Sequence, residues 1–150
     1  WMGYKRAMEM NGLPINKNMC IINNDCEIKD CKCSGYMGYN QFRERLSAMN
    51  KYPTAFVCVN DSVAIDIVRH FKERGINVPE DIAITGFDDI QESAVVSPSL
   101  TTVKCYKEEM GKRTGEEMLW RINNPSRPYE IVRIITEIVF RESASNTIIL

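Results

Sequence analysis

Two spacings of hydrophobic positions divide the chain into predicted helices and strands. Apolar side chains three and four residues apart are typical of one buried helical face, whereas short unbroken apolar runs predict buried strands. Helical spacing covers residues 1–11 and stops at the sequence NGLP at 11–14. It returns from Ser34 along Gly35, Tyr39, Phe42, Leu46 and Met49. Apolar runs at residues 19–22 and 55–59 predict strands.

A strand–helix–strand unit begins at residue 55. The run 55–59 is apolar on both faces, as in a parallel sheet that is covered on each side. The sequence NDS that follows it supplies good helix N-caps, and the apolar stripe after these consists of Val63, Ala64, Ile67, Val68 and Phe71. Gly75 ends this helix, and residues 82–87 predict the next strand. The order of these elements predicts a βαβ unit.

Polar residues stand where both strands of this unit end. Asn60 and Asp61 follow the first strand, and Asp88 and Asp89 follow the second. Carboxyl ends of neighbouring parallel strands meet at one edge of a sheet, and ligands bind in the crevice outside that edge. We therefore expect Asn60 and Asp88 to lie close together. Spacing alone leaves three roles open for such side chains: they stay solvated, cap a helix, or bind a polyhydroxylated ligand.

The helical pattern fails after Asp89. Residues 98–103, PSLTTV, predict a turn that leads into a short β segment. Residues 107–122 predict a helix with a broad apolar face, on which Gly111 and Gly115 permit close approach of another backbone. A loop is predicted at residues 123–128, and a final β region at residues 131–140.

Composition limits the classes of function. A chain of 150 residues that is 44% hydrophobic can bury one sizeable core. It has no apolar run of the length that a membrane span needs. Lysine plus arginine (19) and aspartate plus glutamate (20) nearly balance, so there is no overall basic field to hold nucleic acid. The first residues show neither a secretory pattern nor an initiating segment, which indicates a piece of a longer protein.

Cysteine and histidine give little sign of a metal site. Cys20, Cys26, Cys31 and Cys33 fall in one short region, but the last two are too closely spaced for a standard zinc knuckle. Without a secretion signal, reduced thiols are expected, with a disulfide or a metal site as the alternatives. His70 is the only histidine, and it is predicted to be solvated on the polar side of its helix.

Taken together, the motifs resemble the effector-binding domain of LacI/GalR-type transcriptional regulators. The resemblance is close over residues 53–143 and weak before them, and its order and spacing are specific although each motif alone is weak. The motifs are PTAF at 53–56, VNDSVA at 59–64, RGINVPEDI at 74–82, GFDDI at 86–90, PSLTTV at 98–103, EMG at 109–111 and TEIVFRES at 136–143.

The resemblance implies an α/β fold with a parallel sheet, of the periplasmic-binding-protein-like kind (flavodoxin- or Rossmann-like). Residues 1–103 and 130–143 would form the C-terminal subdomain. Residues 104–129 would form a crossover segment whose helix packs, in such regulators, on an N-terminal subdomain. This chain lacks that subdomain's sheet, and each Å² of apolar surface left exposed costs about 25 cal/mol. We therefore expect the helix to dock on another copy of the chain or to fold back on this one.

The resemblance also implies a small-molecule effector, often a sugar, and no cofactor. Asn60 and Asp88 match positions that commonly contact the effector, whereas Asp61 and Asp89 are expected to be caps or structural acceptors. An aromatic side chain usually precedes the match to Ser34, but residues 25–33 hold none. Their polar side chains, with Cys26 and Asp30 as candidates for this wall of the site, favour a more polar or unusual effector.

Partner surfaces are implied in the same way. Regulators of this type form homodimers, and the resemblance places dimer contacts at Ile65, which is predicted to point away from the sheet, and at Val96. They contact DNA through a helix-turn-helix headpiece that this chain does not contain.

Three functions compete on these observations. The first is a cytoplasmic effector-sensing domain, in which ligand binding reorients two subunits and changes DNA affinity through a coupling free energy. An exported sugar- or solute-binding protein of similar fold is the alternative. An enzyme that uses the aspartates as acid and base is disfavoured, because the chain lacks a Gly-rich phosphate loop, a G-x-S-x-G elbow and a histidine placed as a partner.

Overall fold

The computed structural model of the protein describes residues 1–21 and 39–144. The chain divides into two compact units, Trp1–Phe56 and Val57–Leu150. The boundary falls within a strand of the predicted βαβ unit.

The first unit contains two helices, α1 (Met2–Met10) and α2 (Tyr39–Ser47). Helix α1 ends as predicted, since Gly12 has a positive φ of 64° that glycine adopts without a steric penalty. In α2, Leu46 is fully buried, in agreement with its place in the predicted stripe. The strand predicted at residues 19–22 is not found in its described part, where a single 3₁₀ turn, Lys17–Met19, precedes irregular chain.

The second unit carries most of the sheet. In chain order the elements are β1 (Ala55–Val57), whose last residue alone lies in this unit, α3 (Asp61–Lys72), β2 (Ala83–Thr85), α4 (Gln91–Val95), β3 (Thr102–Lys104), α5 (Lys107–Asn123) and β4 (Glu137–Val139).

The sheet runs in the order β1, β2, β3, β4. Strands β1 and β2 form one pair, and β3 and β4 another. Two parallel bridges, between Thr85 and Thr101 and between Asp88 and Lys104, join the pairs. Strand β4 returns antiparallel to β3, with Lys104 opposite Glu137. The predicted βαβ unit is therefore present, with a returning strand added at one edge.

The core lies between α3 and the sheet. It forms because the stripe on α3 faces the apolar side chains of β2 and the start of β3. Its most buried members are Ala64, Ile67, Val68, Phe71, Ile82, Ile84 and Leu100. Two side chains of α3 depart from the prediction. Ile65, expected to point away from the sheet as an exposed side chain, is only 5% exposed, and His70, expected to be solvated, is 1% exposed. The expected exposure of both side chains is wrong, because α3 is covered on more faces than the stripe alone requires.

The part of the chain after Asp89 differs from the prediction in two further ways. The short helix α4 occurs where no helical pattern was recognised. The final β region is limited to three residues, because Ile131 and Ile135 remain exposed and find no partner strand among the described residues. The predicted helix at 107–122 is confirmed as α5, and no residue in it is buried.

Candidate functional site

The carboxyl ends of β1 and β2 meet as the sequence predicts. The backbone N–H of Cys58 donates to the Thr85 carbonyl at 2.9 Å, and the N–H of Asp61 donates to the Phe87 carbonyl at 2.9 Å. Both bonds advance in the same direction along the two segments, so the strands are parallel. Asn60 precedes one member of the second bond and Asp88 follows the other. The two residues thus lie at one edge of the sheet, and both are half-buried.

The side chain of Asn60 caps helix α3. Its side-chain Oδ1 accepts a hydrogen bond from the Val63 N–H at 3.0 Å, which caps α3. Its Nδ2 group and the Asp88 carboxylate make no side-chain hydrogen bond to another residue in the described ranges. Capping of α3 therefore uses the side-chain oxygen of Asn60 and does not involve its amide N–H groups.

Asp61 connects the segments that surround this edge. Its carboxylate is fully buried at the first turn of α3. Oδ1 accepts a hydrogen bond from Thr102 Oγ1 at 2.5 Å, and Oδ2 accepts from Ser93 Oγ at 2.6 Å and from the Ile90 N–H at 3.0 Å. The prediction that Asp61 is a structural acceptor is confirmed. The carboxylate joins α3 to the β2–α4 turn, to α4 and to β3.

The turn that carries Asp88 has an unusual backbone. Asp88 and Asp89 are consecutive non-glycine residues with positive φ, 113° and 50°. The Asp88 N–H donates to the Val103 carbonyl at 2.9 Å. Asp89 Oδ1 accepts from Arg141 Nη2 at 2.7 Å, so the structural role predicted for Asp89 is confirmed. The two neighbouring carboxylates thus differ: that of Asp89 forms an ion pair with Arg141, whereas that of Asp88 makes no side-chain hydrogen bond in the described part of the chain.

Gly86 is a functional residue that the sequence reasoning missed. A Cβ at this position would collide with the Asp61 carboxylate and lie 3.0 Å from Leu100 Cδ2. Only glycine therefore lets the buried carboxylate pass close to β2. The signal was available, since a glycine that interrupts a strand pattern often marks close approach of another group.

Three cysteines are described, and all are free thiols. Burial, and secondarily the charge of Asp61, raises the pKa of Cys58 from 9.0 to about 12, so this thiol is not a nucleophile near neutral pH. Burial and the nearby Asp88 raise the pKa of Cys105. Cys20 lies in the first unit. Across the described ranges, no group of three or more histidine, cysteine, aspartate or glutamate side chains could hold a metal ion.

The remaining candidates are only partly described. Cys26 and Asp30, predicted for the wall of the site, lie outside the described residues. Val96 is half-buried just after α4, and its dimer contact stays a prediction. The burial of Ile65 means that a contact with a second chain through this side chain would first require its cover to move.

A recess of about 470 Å³ lies away from this edge, between α5 and the segment that follows it. It is lined by residues of the two segments, among them Met110, Trp120, Tyr129 and Val132. The segment is held by Arg121, which lies 4.2 Å from the Tyr129 ring centroid and donates to the Arg127 carbonyl. The recess faces none of the strand ends that carry Asn60 and Asp88, so we do not assign the effector to it.

Comparison with known proteins decides the family. Residues 2–144 match the periplasmic binding protein-like domain. The chain belongs to this family. The fold class predicted from the motifs is thereby confirmed.

Similar sequences include transcriptional repressors, and similar solved structures include regulators named as LacI-family proteins, which confirms the resemblance. The chain is 31% identical over 141 residues to the HTH-type transcriptional repressor PurR of Vibrio parahaemolyticus, and it spans 94% of its own length but 40% of that relative. A LacI-family regulator from Sanguibacter keddieii superimposes with a TM-score of 0.73 at 26% identity, over 94% of this chain and 50% of that one. A LacI-family regulator from Enterococcus faecalis with bound ribose superimposes with a TM-score of 0.63 at 28% identity, over 72% and 40%.

The comparisons and the structure bear on one further prediction each. The Vibrio repressor and the Sanguibacter protein are both named as transcriptional regulators, which agrees with the prediction that the chain is not an enzyme. No helix in the part of the chain that the structure describes is long and apolar enough to cross a membrane.

Proposed function

We propose that this chain is the effector-sensing part of a LacI/GalR-type transcriptional regulator. The proposed effector is a small polyhydroxylated molecule, such as a sugar or a nucleoside, held at the strand ends by Asn60 and Asp88. One observation carries the proposal: the parallel strands bring an amide donor and a carboxylate acceptor to the same edge, and both groups are without a partner among the described side chains.

The chemistry of these two groups fits a hydroxylated ligand. A carboxylate accepts hydrogen bonds from two adjacent hydroxyl groups, and the amide of Asn60 donates to a hydroxyl or ring oxygen. The bound ribose of the Enterococcus faecalis regulator supports this class of ligand, because that chain shares the fold at 28% identity.

The regulator's output would be DNA binding by a cytoplasmic homodimer. In this proposal the effector alters how two subunits are oriented, and the headpiece of the complete protein reads that change as a different affinity for its operator. The helix-turn-helix in the name of the Vibrio repressor supports the DNA-binding output. The coding sequence immediately upstream gives a direct test: a helix-turn-helix followed by another α/β half supports the regulator, whereas a signal peptide supports an exported binding protein.

Calorimetry on the complete protein tests the site. A panel of sugars and nucleosides that includes ribose is titrated into the parent protein and into Asp88→Ala. Hydrogen bonds to a charged group are worth about 1.5–3 kcal/mol each, so the loss of one or two should weaken binding at least tenfold. Glu9→Ala, which removes an exposed carboxylate from α1, is the matched control. Equal affinity of Asp88→Ala and the parent for the same sugar would remove Asp88 from the site.

A further inference from the structure

We propose that Arg141 is a positioning residue for the effector site, because its ion pair with Asp89 holds the Asp88–Asp89 turn and ties that turn to the two strands β3 and β4. Arg141 does not need to touch the effector. It acts through the backbone that presents the Asp88 carboxylate. This role rests on the function proposed above, and it concerns the contacts that hold the backbone of the Asp88–Asp89 turn.

The turn requires such a restraint. Positive φ is uncommon outside glycine, and the Asp88 value of 113° lies beyond the small left-handed region that other residues tolerate. A backbone in this state persists only when its surroundings hold it there. Three successive residues are each held by one contact: Asp88 by the Val103 carbonyl, Asp89 by Arg141, and Ile90 by Asp61.

Arg141 is also held by contacts other than its ion pair with Asp89. Its Nη1 donates to the Leu100 carbonyl at 2.9 Å while Nη2 donates to Asp89 Oδ1 at 2.7 Å. Its backbone N–H donates to Thr101 Oγ1 at 2.8 Å, and that hydroxyl donates to the Arg141 carbonyl at 2.9 Å. The guanidinium group therefore bridges two segments with its planar fork, a geometry that lysine does not reproduce.

The ion pair is also shielded from water. The side chains of Arg141 and Asp89 are 19% and 17% exposed, respectively. An exposed pair of long side chains contributes little, but shielding of this degree strengthens the attraction and reduces screening by salt. The pair is thus suited to hold a backbone conformation.

The position of Arg141 in the fold gives the restraint a second effect. Arg141 follows β4 by two residues, and Val103, the other anchor of the turn, lies on β3. These two strands pair with each other, and the whole of α5 lies between them in the chain. The contacts that hold the Asp88–Asp89 turn therefore join it to β3 and to the residues just after β4, the two strands that flank α5 in the chain.

Ribose affinity in the complete protein tests the inference through a double-mutant cycle. Arg141→Met and Asp89→Asn should each weaken ribose binding about tenfold, and the double variant should bind no worse than the weaker of the two, because each single change already removes the ion pair. Arg141→Lys should recover only part of the loss. Arg113→Met is the matched control, since it breaks a 2.7 Å ion pair with Glu117 on the exposed surface of α5, and it should bind ribose like the parent.

A second measurement does not depend on ribose. Hydrogen exchange at the Asp88 amide, followed by NMR in the ligand-free protein, should accelerate at least tenfold in Arg141→Met and in Asp89→Asn, while amides of α3 exchange as in the parent. If the parent binds no sugar or nucleoside of the panel, the proposed function fails and this comparison still decides the inference. Unchanged exchange at Asp88, parent-like ribose affinity of Arg141→Met, or losses that multiply in the double variant would each overturn it.

Discussion

Replacement of Asp61 gives the sharpest test of how this site is built. The Asp61 carboxylate is buried and accepts hydrogen bonds from Thr102, Ser93 and the Ile90 N–H. Asp61→Asn keeps the shape of the side chain but turns one acceptor oxygen into a donor. We expect the new NH₂ group to face Thr102, whose hydroxyl can rotate and accept, because the Ile90 N–H can only donate.

The size of the change in the free energy of unfolding follows from the hydrogen bonds that the three donors lose. A hydrogen bond to a charged group is worth about 1.5–3 kcal/mol, and part of this loss is offset because a buried charge is removed. We expect Asp61→Asn to lower the free energy of unfolding by about 2 kcal/mol. Asp61→Ala removes the partner of all three donors at about 1–3 kcal/mol each, which approaches the total stability of about 5–15 kcal/mol for a domain.

Denaturation with urea, followed by circular dichroism, measures both variants. Glu9→Gln on α1 is the control, because Glu9 lies 3.8 Å from Lys5 in an exposed surface pair that is worth about 0–1 kcal/mol. The expected order of stability is parent and Glu9→Gln together, then Asp61→Asn, then Asp61→Ala. An Asp61→Asn protein within about 0.5 kcal/mol of the parent would refute the account of Asp61 as the central acceptor, since that difference is typical of neutral surface changes.

Three other outcomes are expected. Gly86→Ala should lower the free energy of unfolding by about 1–3 kcal/mol in urea denaturation, because its Cβ overpacks against Asp61. A smaller loss in an Asp61→Ala background would show that the Asp61 carboxylate is the group it collides with, and an equal loss would contradict this. Burial raises the pKa of Cys58 from 9.0 to about 12, so the thiol ionises at a lower pH in the unfolded state than in the folded state. The free energy of unfolding should therefore be unaffected by this thiol below pH 9 and should fall between pH 9 and 12, by up to about 1.4 kcal/mol per pH unit. Cys58→Ala should lack this slope, and parallel pH curves would disprove the assignment. Leu119 on α5 is 65% exposed, so Leu119→Asp should reduce self-association of the chain in sedimentation without lowering its unfolding free energy; a parent chain that sediments as a monomer at high concentration would contradict the predicted docking of α5.

Local patterns were sufficient to predict the βαβ unit. The apolar period of α3, its polar cap at Asn60 and the buried run of β1 all depend on residues that are neighbours in sequence. Elements held by distant contacts were missed. Helix α4 has five residues and no apolar stripe, and its Ser93 is held by Asp61, 32 positions earlier. The long β region failed for the opposite reason, since an apolar run becomes a strand only where another strand pairs with it.

The same distinction applies to the site. The proximity of Asn60 and Asp88 follows from parallel strands alone, so the sequence could predict it. The roles of Gly86 and Arg141 could not be predicted, because each depends on a group that lies 25 or more positions away along the chain. Burial of Ile65 and His70 escaped prediction because a helical period indicates that one face is covered but does not say how many faces are.

The pairing of β3 with β4 makes the domain divisible. Lys104 and Glu137 stand opposite each other at the end of the ribbon, so the 32 residues between them leave and re-enter the fold at adjacent points. A two-residue Asn-Gly loop matches the twist of such a pair and would close it into a hairpin. The shortened polypeptide would keep the strand ends that carry Asn60 and Asp88 while shedding the exposed apolar surface of α5, and the same junction would accept a fluorescent reporter whose emission follows occupancy of the site.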